Sequence, residues 1–206
     1  MEKLTISDFK AIIASATETI TAQGEELSKM DAALGDGDHG EAIVTAMKVV
    51  STECGKMHDF KVGLGDMGFG VMLQTSGSTS TLLGGFWLGM SDALGEGLVE
   101  LSLAEVRSMF VSALAGVRKN TKADVGDKTM MDALIPAVAA MEAYSGEDIK
   151  EMFTAASAAA QAGAASTVDM VAKFGRARNF GEKCIGHVDA GATSWSMLID
   201  SFATTI

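Results

Sequence analysis

An all-helical fold is the class this chain predicts, on three observations. Its 206 residues contain one proline, so helix breakers are nearly absent. Alanine, methionine and leucine dominate the apolar set while aromatics are only 6%, a choice of helix formers over strand formers. Apolar residues also recur at three- and four-residue spacing along almost the whole chain. With 48% hydrophobic and 21% charged residues the chain is not disordered, and residues 1–206 suit one domain with a real core.

The elements follow in order. Ile6, Phe9, Ile13, Ala16, Ile20, Leu27 and Met30 make the first helical stripe, and Ile43, Met47 and Val50 carry the pattern on after a polar loop. Residues 62–70 are a glycine-rich stretch, followed by Val71-Met72-Leu73 and the small-residue run 75–81. Residues 82–94 predict a tightly packed helix with several glycines. Ser102 with Glu105 is a capping-box signature that opens a helix through Val106, Phe110, Leu114 and Val117. Residues 120–126 are a polar loop, and a helix over 128–143 contains Pro136, where a kink is expected. Ser145 and Asp148 mark the next start, for a long alanine-rich helix over 149–174. A glycine-punctuated loop then leads to a last helix over 193–202. The sum is about eight helices with the short connections of a bundle and no internal linker.

Charge and cysteine usage narrow the function classes. The net charge is -11, with Lys and Arg together 16 against 27 Asp and Glu. Such a surface disfavours nucleic acid and anionic membranes, both of which need basic patches. Cys54 and Cys184 stand alone, outside any CxxC or zinc-like spacing, as expected of reduced thiols in a cytoplasmic protein. Met1-Glu2-Lys3 leads into an amphipathic segment with no signal-peptide pattern, and the apolar run 82–90 is too short to span a bilayer.

The densest chemistry lies in Asp31-Ala32-Ala33-Leu34-Gly35-Asp36-Gly37-Asp38-His39-Gly40. Three carboxylates this close repel one another unless a cation sits among them. Mg²⁺ takes oxygen ligands and shares them with phosphates, so Asp31, Asp36 and Asp38 are candidate ligands. The plainer reading is a surface loop in which Asp38 caps the next helix, with Glu41 completing a capping box. The ligand spacing does not fit an EF-hand. His39 follows at a helix start, where a neutral imidazole is favoured beside a phosphate or a metal-bound water. The hydroxyls of residues 76–81 precede a helix and suit an anion, but no Walker lysine accompanies them. Gly126-Asp127-Lys128-Thr129-Met130 and Gly186-His187-Val188-Asp189-Ala190-Gly191-Ala192-Thr193-Ser194 are further polar loops at helix starts, each alone readable as a cap. Arg176, between Gly175 and Ala177, is a candidate phosphate partner or a surface ion pair.

Taken in order, four of these segments resemble the L subunit of dihydroxyacetone kinase, the nucleotide-binding subunit of that system. They are Leu34-Gly35-Asp36-Gly37-Asp38-His39-Gly40, Gly126-Asp127-Lys128-Thr129-Met130-Met131-Asp132, Gly175-Arg176-Ala177, and the run from Gly186 to Ser194. Each motif alone is weak, but the ordered set is specific and spans nearly the whole chain. The resemblance implies an up-and-down barrel of about eight antiparallel helices with the nucleotide at one end. By that match Asp31, Asp36 and Asp38 hold two Mg²⁺ ions that bridge the phosphates of ADP or ATP. His39, Gly40, Glu41 and Ala42 would lie beside those phosphates, and Ser78, Thr79, Thr121, Met130, Arg176, Asp189, Ala190 and Gly191 at nucleotide contacts.

The family also implies partners. The ketose would sit on a K-type substrate-binding subunit, and a phosphotransferase-system protein would supply phosphate in the mode where ADP is a coenzyme. In the other mode ATP is consumed. A homodimer or a heterocomplex is the expected assembly. A regulatory module that contacts a transcriptional regulator, a kinase subunit for another ketose, and a helical metal-binding protein are the alternatives. The chain departs from the family in having Glu41-Ala42 where an Asn is common, Thr79-Ser80-Thr81 in place of Ser-Gly-Pro, and Asp189-Ala190-Gly191 in place of Asp-Pro-Gly.

Overall fold

Helix starts in this protein are chemically marked, and two of them are full capping boxes. The Thr5 side chain accepts from Asp8 N while Asp8 reaches back to the Thr5 amide, opening α1 (Ile6–Ala22). Ser102 and Glu105 do the same for α6 (Leu103–Arg118), as the sequence predicts. The structure is a computed structural model and describes residues 1–206. Between these helices come α2 (Gly24–Ala32), α3 (His39–Lys56), α4 (Phe60–Gln74) and α5 (Gly77–Asp92). After α6 follow α7 (Met131–Ala143), α8 (Ile149–Ser166), two 3-10 stretches (Thr167–Asp169 and Ala177–Cys184) and α9 (Ala190–Thr204).

Eight of the helices close a ring. Each helix from α3 to α9 packs on the next, and α1 closes the circle by packing on both α9 and α3. The short α2 follows α1 after a break at Gln23 (φ -97°, ψ 2°), so the single stripe expected over residues 6–30 is divided between two helices. Two three-residue strands, β1 (Lys3–Thr5) and β2 (Glu100–Ser102), pair antiparallel with Leu4 opposite Leu101. They were not expected, and they tie the start of α1 to the start of α6. The barrel is filled by a cluster of 48 buried residues. At its centre Phe9, Phe60, Phe86, Trp87, Phe110, Phe153 and Phe202 meet mostly edge to face.

Close helix approach explains why the glycine-rich stretch 62–70 is helical. A Cβ on Gly68 would stand 3.0 Å from the Gly84 carbonyl, and one on Gly84 would stand 3.1 Å from the Gly68 carbonyl. The backbones of α4 and α5 therefore touch directly, and packing outweighs the poor helix propensity of glycine. α7 runs through Pro136, whose missing N–H leaves the Asp132 carbonyl without its helical donor. Gly163 of α8 packs on that carbonyl so closely that a Cβ would lie 1.9 Å from it. The alanine-rich helix ends at Ser166, eight residues before its expected limit, because Thr167 turns into the 3-10 stretch and gives its carbonyl to a lysine. No helix is long and apolar enough to cross a membrane. Both cysteines are free and buried.

Candidate functional site

In an up-and-down ring alternate helices begin at the same end. The starts of α3, α5, α7 and α9 accordingly gather around one cleft of about 580 Å³, a volume that suits a small-molecule ligand. Each start carries unpaired backbone N–H groups and a partial positive charge. Asp189 caps α9 by accepting from Ala192 N at 2.7 Å. Asp38 and Ser76, the residues before α3 and α5, make no side-chain cap. The capping alternative for Asp38 therefore fails, and its carboxylate is left for another use.

Oxygens of Asp31, Asp36 and Asp38 lie within 4.8 Å of one another at one side of the cleft. Asp31 is placed by the end of α2 and accepts from Gly37 N at 2.9 Å, a turn made possible by the left-handed φ of 77° at Gly37. The Arg176 guanidinium pairs with Asp36 and stands 3.9 Å from Asp38, so the cluster already draws a cation from the chain. An all-carboxylate set beside a polar cleft fits a hard divalent cation such as Mg²⁺, which takes a few protein carboxylates and completes its shell with other oxygens.

His39 is half-buried, and its Nε2 lies 2.9 Å from Ser194 Oγ. Ser194 donates its own proton to the Gly191 carbonyl at 3.0 Å, so the hydrogen-bond pattern assigns the imidazole proton to Nε2. Burial lowers the His39 pKa from 6.5, against the opposing pull of Asp31 and the Ala190 backbone. The neutral ring expected at this helix start is thus favoured. The Asp189 carboxyl moves the other way, up to about 6, chiefly because it is buried, with the Ala192 N–H and Lys128 resisting. On α5, Ser80 and Thr81 turn their hydroxyls back to the Ser76 and Gly77 carbonyls, while Ser78 and Thr79 face the cleft.

Asp31, Asp36, Asp38, His39, Ala42, Ser78, Thr79, Thr121, Met130, Arg176, Asp189 and Gly191 all line this one cleft. Three residues expected beside them do not. Gly40 and Glu41 border a separate shallow groove with Gly24 and Ser28, and Ala190 is buried beneath the start of α9. The reason is the approach of α3 to α2: a Cβ on Gly40 would sit 1.9 Å from the Gly24 carbonyl, so this position serves packing.

Other lining residues carried no signal of their own. Leu82, Asn120, Phe174 and Trp195 join the wall, and Trp195 meets Phe86 of the core at 5.1 Å. Only their neighbours, such as Gly175-Arg176 beside Phe174, hinted at them. Lys128 is 1% exposed and donates from Nζ to the carbonyls of Thr167 at 2.6 Å, Cys184 at 3.0 Å and His187. Burial lowers its pKa from 10.5, opposed by Cys184, Asp189, Asp132 and Asp169. Its φ of 59° is left-handed, which costs a residue bearing a Cβ roughly 1 kcal/mol. Asp132, fully buried, accepts from Gly126 N at 2.6 Å and Thr129 N at 2.8 Å and so shapes the turn around it.

Comparison with known proteins identifies the family of this chain. The DAK2 domain family matches residues 33–204. The chain is 32% identical over 186 residues to the ADP-binding subunit DhaL of PEP-dependent dihydroxyacetone kinase 2 from Listeria innocua, covering 88% of this chain and 86% of that one. It is 31% identical over 190 residues to the corresponding DhaL subunit of Escherichia coli, with 90% of each chain covered. L-erythrulose kinase from Pectobacterium atrosepticum is 30% identical over 95% of this chain, which spans only 34% of that protein. The crystal structure of the dihydroxyacetone kinase from C. freundii in complex with AMP-PNP and Mg²⁺ superposes with a TM-score of 0.74 at 25% identity. That likeness covers 96% of this chain and 33% of the other. With a family match over most of its length and an ordered ring of helices to go with it, this chain belongs to the DAK2 domain family, among the subunits of dihydroxyacetone-type kinases.

Proposed function

We propose that this chain is the nucleotide-binding subunit of a kinase for dihydroxyacetone or a related short ketose. It would hold ADP or ATP through two Mg²⁺ ions and pass a phosphoryl group to substrate carried on a K-type partner subunit. One observation carries the reading: three carboxylate oxygens within 4.8 Å stand in a cleft ringed by four helix starts, three of them without a side-chain cap from the residue before the helix. Carboxylates and N-terminal dipoles attract opposite charges, and a metal–polyphosphate ligand satisfies both.

Asp31, Asp36 and Asp38 would hold the ions, which would supply positive charge to neutralise the phosphates. The chain's own groups do the positioning. Ser78 and Thr79 would donate to phosphate together with the free amides of α5, and Arg176 is near enough to the cluster to reach the same oxygens. His39, held neutral and anchored on Ser194, would add a polar contact without adding charge. Met130, Leu82 and Phe174 offer an apolar wall for the base. Transfer needs mainly charge neutralisation and in-line placement, so no general base is demanded of this subunit.

Two modes of the same site differ in the phosphate source. The relatives from Listeria innocua and Escherichia coli are PEP-dependent and ADP-binding, which favours ADP as a coenzyme recharged by a phosphotransferase-system phosphoprotein. Purified protein should then retain ADP through desalting. Repeated turnover on ATP with only a K-type subunit present would reject the coenzyme mode. Absence of any thermal stabilisation by ADP in the presence of Mg²⁺ would sink the nucleotide reading altogether.

A further inference from the structure

Lys128 lines the cleft, yet its ammonium has nothing left to offer a ligand. A lysine carries three N–H donors, and here they meet three main-chain carbonyls, of Thr167, Cys184 and His187. Those carbonyls come from both ends of segment 167–189, which brings Arg176 and Asp189 to the cleft. The same ends are joined by Gly186 N to the Val168 carbonyl at 2.8 Å and by Asp189 N to Thr167 Oγ1 at 2.9 Å. Next to Lys128, Asp127 takes Lys173 N on its carbonyl at 3.2 Å and Lys173 Nζ on its carboxylate at 2.7 Å.

Apolar packing does little for this segment. Of its apolar side chains only Ala172 and Cys184 are buried, clustered with Leu34 apart from the barrel core, and Phe174 alone packs partly against that core. Segments with few buried contacts open locally well before the whole protein unfolds. A buried, charged side chain on an unfavourable left-handed backbone persists only where its surroundings require it.

We propose that Lys128 is a positioning residue: it gathers both ends of segment 167–189, holds Arg176 at the cleft, and so sets nucleotide affinity without touching the nucleotide. The affinity part rests on the nucleotide reading above; the anchoring part stands on the contacts alone. Two separate readouts keep them apart. Lys173, Arg176, Arg178 and Lys183 are exposed tryptic sites inside the segment, so their cutting rate reports its local opening. In Lys128→Met this rate should rise at least about tenfold while the barrel stays uncut and cooperatively folded. Its Kd for ADP in Mg²⁺ should rise at least about tenfold, and saturating ADP should slow the cutting again.

A cycle with Arg176→Ala identifies the route. If Lys128 acts by placing Arg176, adding Lys128→Met to Arg176→Ala should weaken ADP binding by no more than about threefold. Full multiplication of the two losses with unchanged cutting would mean direct phosphate contact and would overturn the proposal. Parental cutting and parental Kd in Lys128→Met would overturn it as well. Should Lys128→Met not fold, Lys128→Arg carries the same test, since it keeps the charge but not the three-way fit; it should fall between parent and Met. A parent that binds no ADP sinks the affinity part, and the cutting rates then decide the anchoring part.

Discussion

Substituting Gly40 by alanine tests whether the contact between α2 and α3 sets the carboxylate cluster. The new Cβ would lie 1.9 Å from the Gly24 carbonyl, 2.5 Å from Ser28 Oγ and 2.8 Å from Ser28 N, where ordinary contact begins at 3.4 Å. The nearest atom is a backbone carbonyl oxygen that cannot swing aside, so the helices must part by about 1.5 Å, an overpacking that costs about 1–3 kcal/mol. Gly55, in the same helix, has nothing within 4 Å of its Cβ position and is the matched control. Both substitutions gain the same helix propensity, so their difference isolates the clash. For a chain of this size that difference is about 2–12 °C in melting temperature. The site should suffer more than the fold. Asp31 rides on α2 and Asp38 on the start of α3, so parting them spreads oxygens now within 4.8 Å. Mg²⁺ tolerates little departure from octahedral geometry, so affinity for ADP in Mg²⁺ should fall at least about tenfold. Thermal melts and calorimetric titration of the two variants provide the readings. Equal melting temperatures and equal ADP affinities would refute the packing argument.

The remaining predictions concern charge, reactivity and packing. Asp38→Ala should leave metal-free stability unchanged or raised, because Asp38 caps nothing and faces two other carboxylates, while stabilisation by ADP in Mg²⁺ is lost. A capping role would instead show as a loss of about 0.5–2 kcal/mol without ligand. The Lys173 ammonium, helped by the Asp124 amide, holds the Asp127 carboxyl below its usual 3.8. Its contribution is therefore present above pH 3.8 and vanishes as pH falls through the lowered value, so melts of Lys173→Ala and parent should differ slightly near neutrality and converge in acid. Burial pushes the Cys54 thiol up to about 12, so it should resist thiol reagents at pH 8 in the native protein and react once guanidinium unfolds it. Gly163→Ala drives a Cβ to within 1.9 Å of the Asp132 carbonyl and should cost about 1–3 kcal/mol in a denaturant melt.

Much of the molecule is legible along the chain because the relevant interactions span one turn of helix. Thr5, Ser102, Asp148 and Asp189 cap the helices that follow them, and such caps act on amides two or three residues away. The carboxylates of Asp31, Asp36 and Asp38 are neighbours in sequence before they are neighbours in space. Errors arise where contacts are distant. The glycine-rich stretch 62–70 carries no helix assignment from its own residues; it is helical because α5 supplies the backbone it packs against. Residues 167–174 extend the apolar spacing of the preceding helix through Val168, Val171 and Ala172, yet leave it where Lys128, 39 residues away, takes the Thr167 carbonyl.

The same division separates class from site. Composition and periodicity, being sums over local preferences, are enough for a helical chain with an acidic loop poised for a cation. Closure of the ring brings the starts of α3, α5, α7 and α9 together, and that depends on packing among residues far apart in sequence. Gly40 shows the limit most clearly. Beside the acidic motif it reads as a phosphate contact; only the tertiary structure adds that it lies against Gly24 and Ser28 of α2, where its missing side chain lets the two helices meet. Local chemistry selects which groups are available, and long-range packing chooses the direction in which each of them faces.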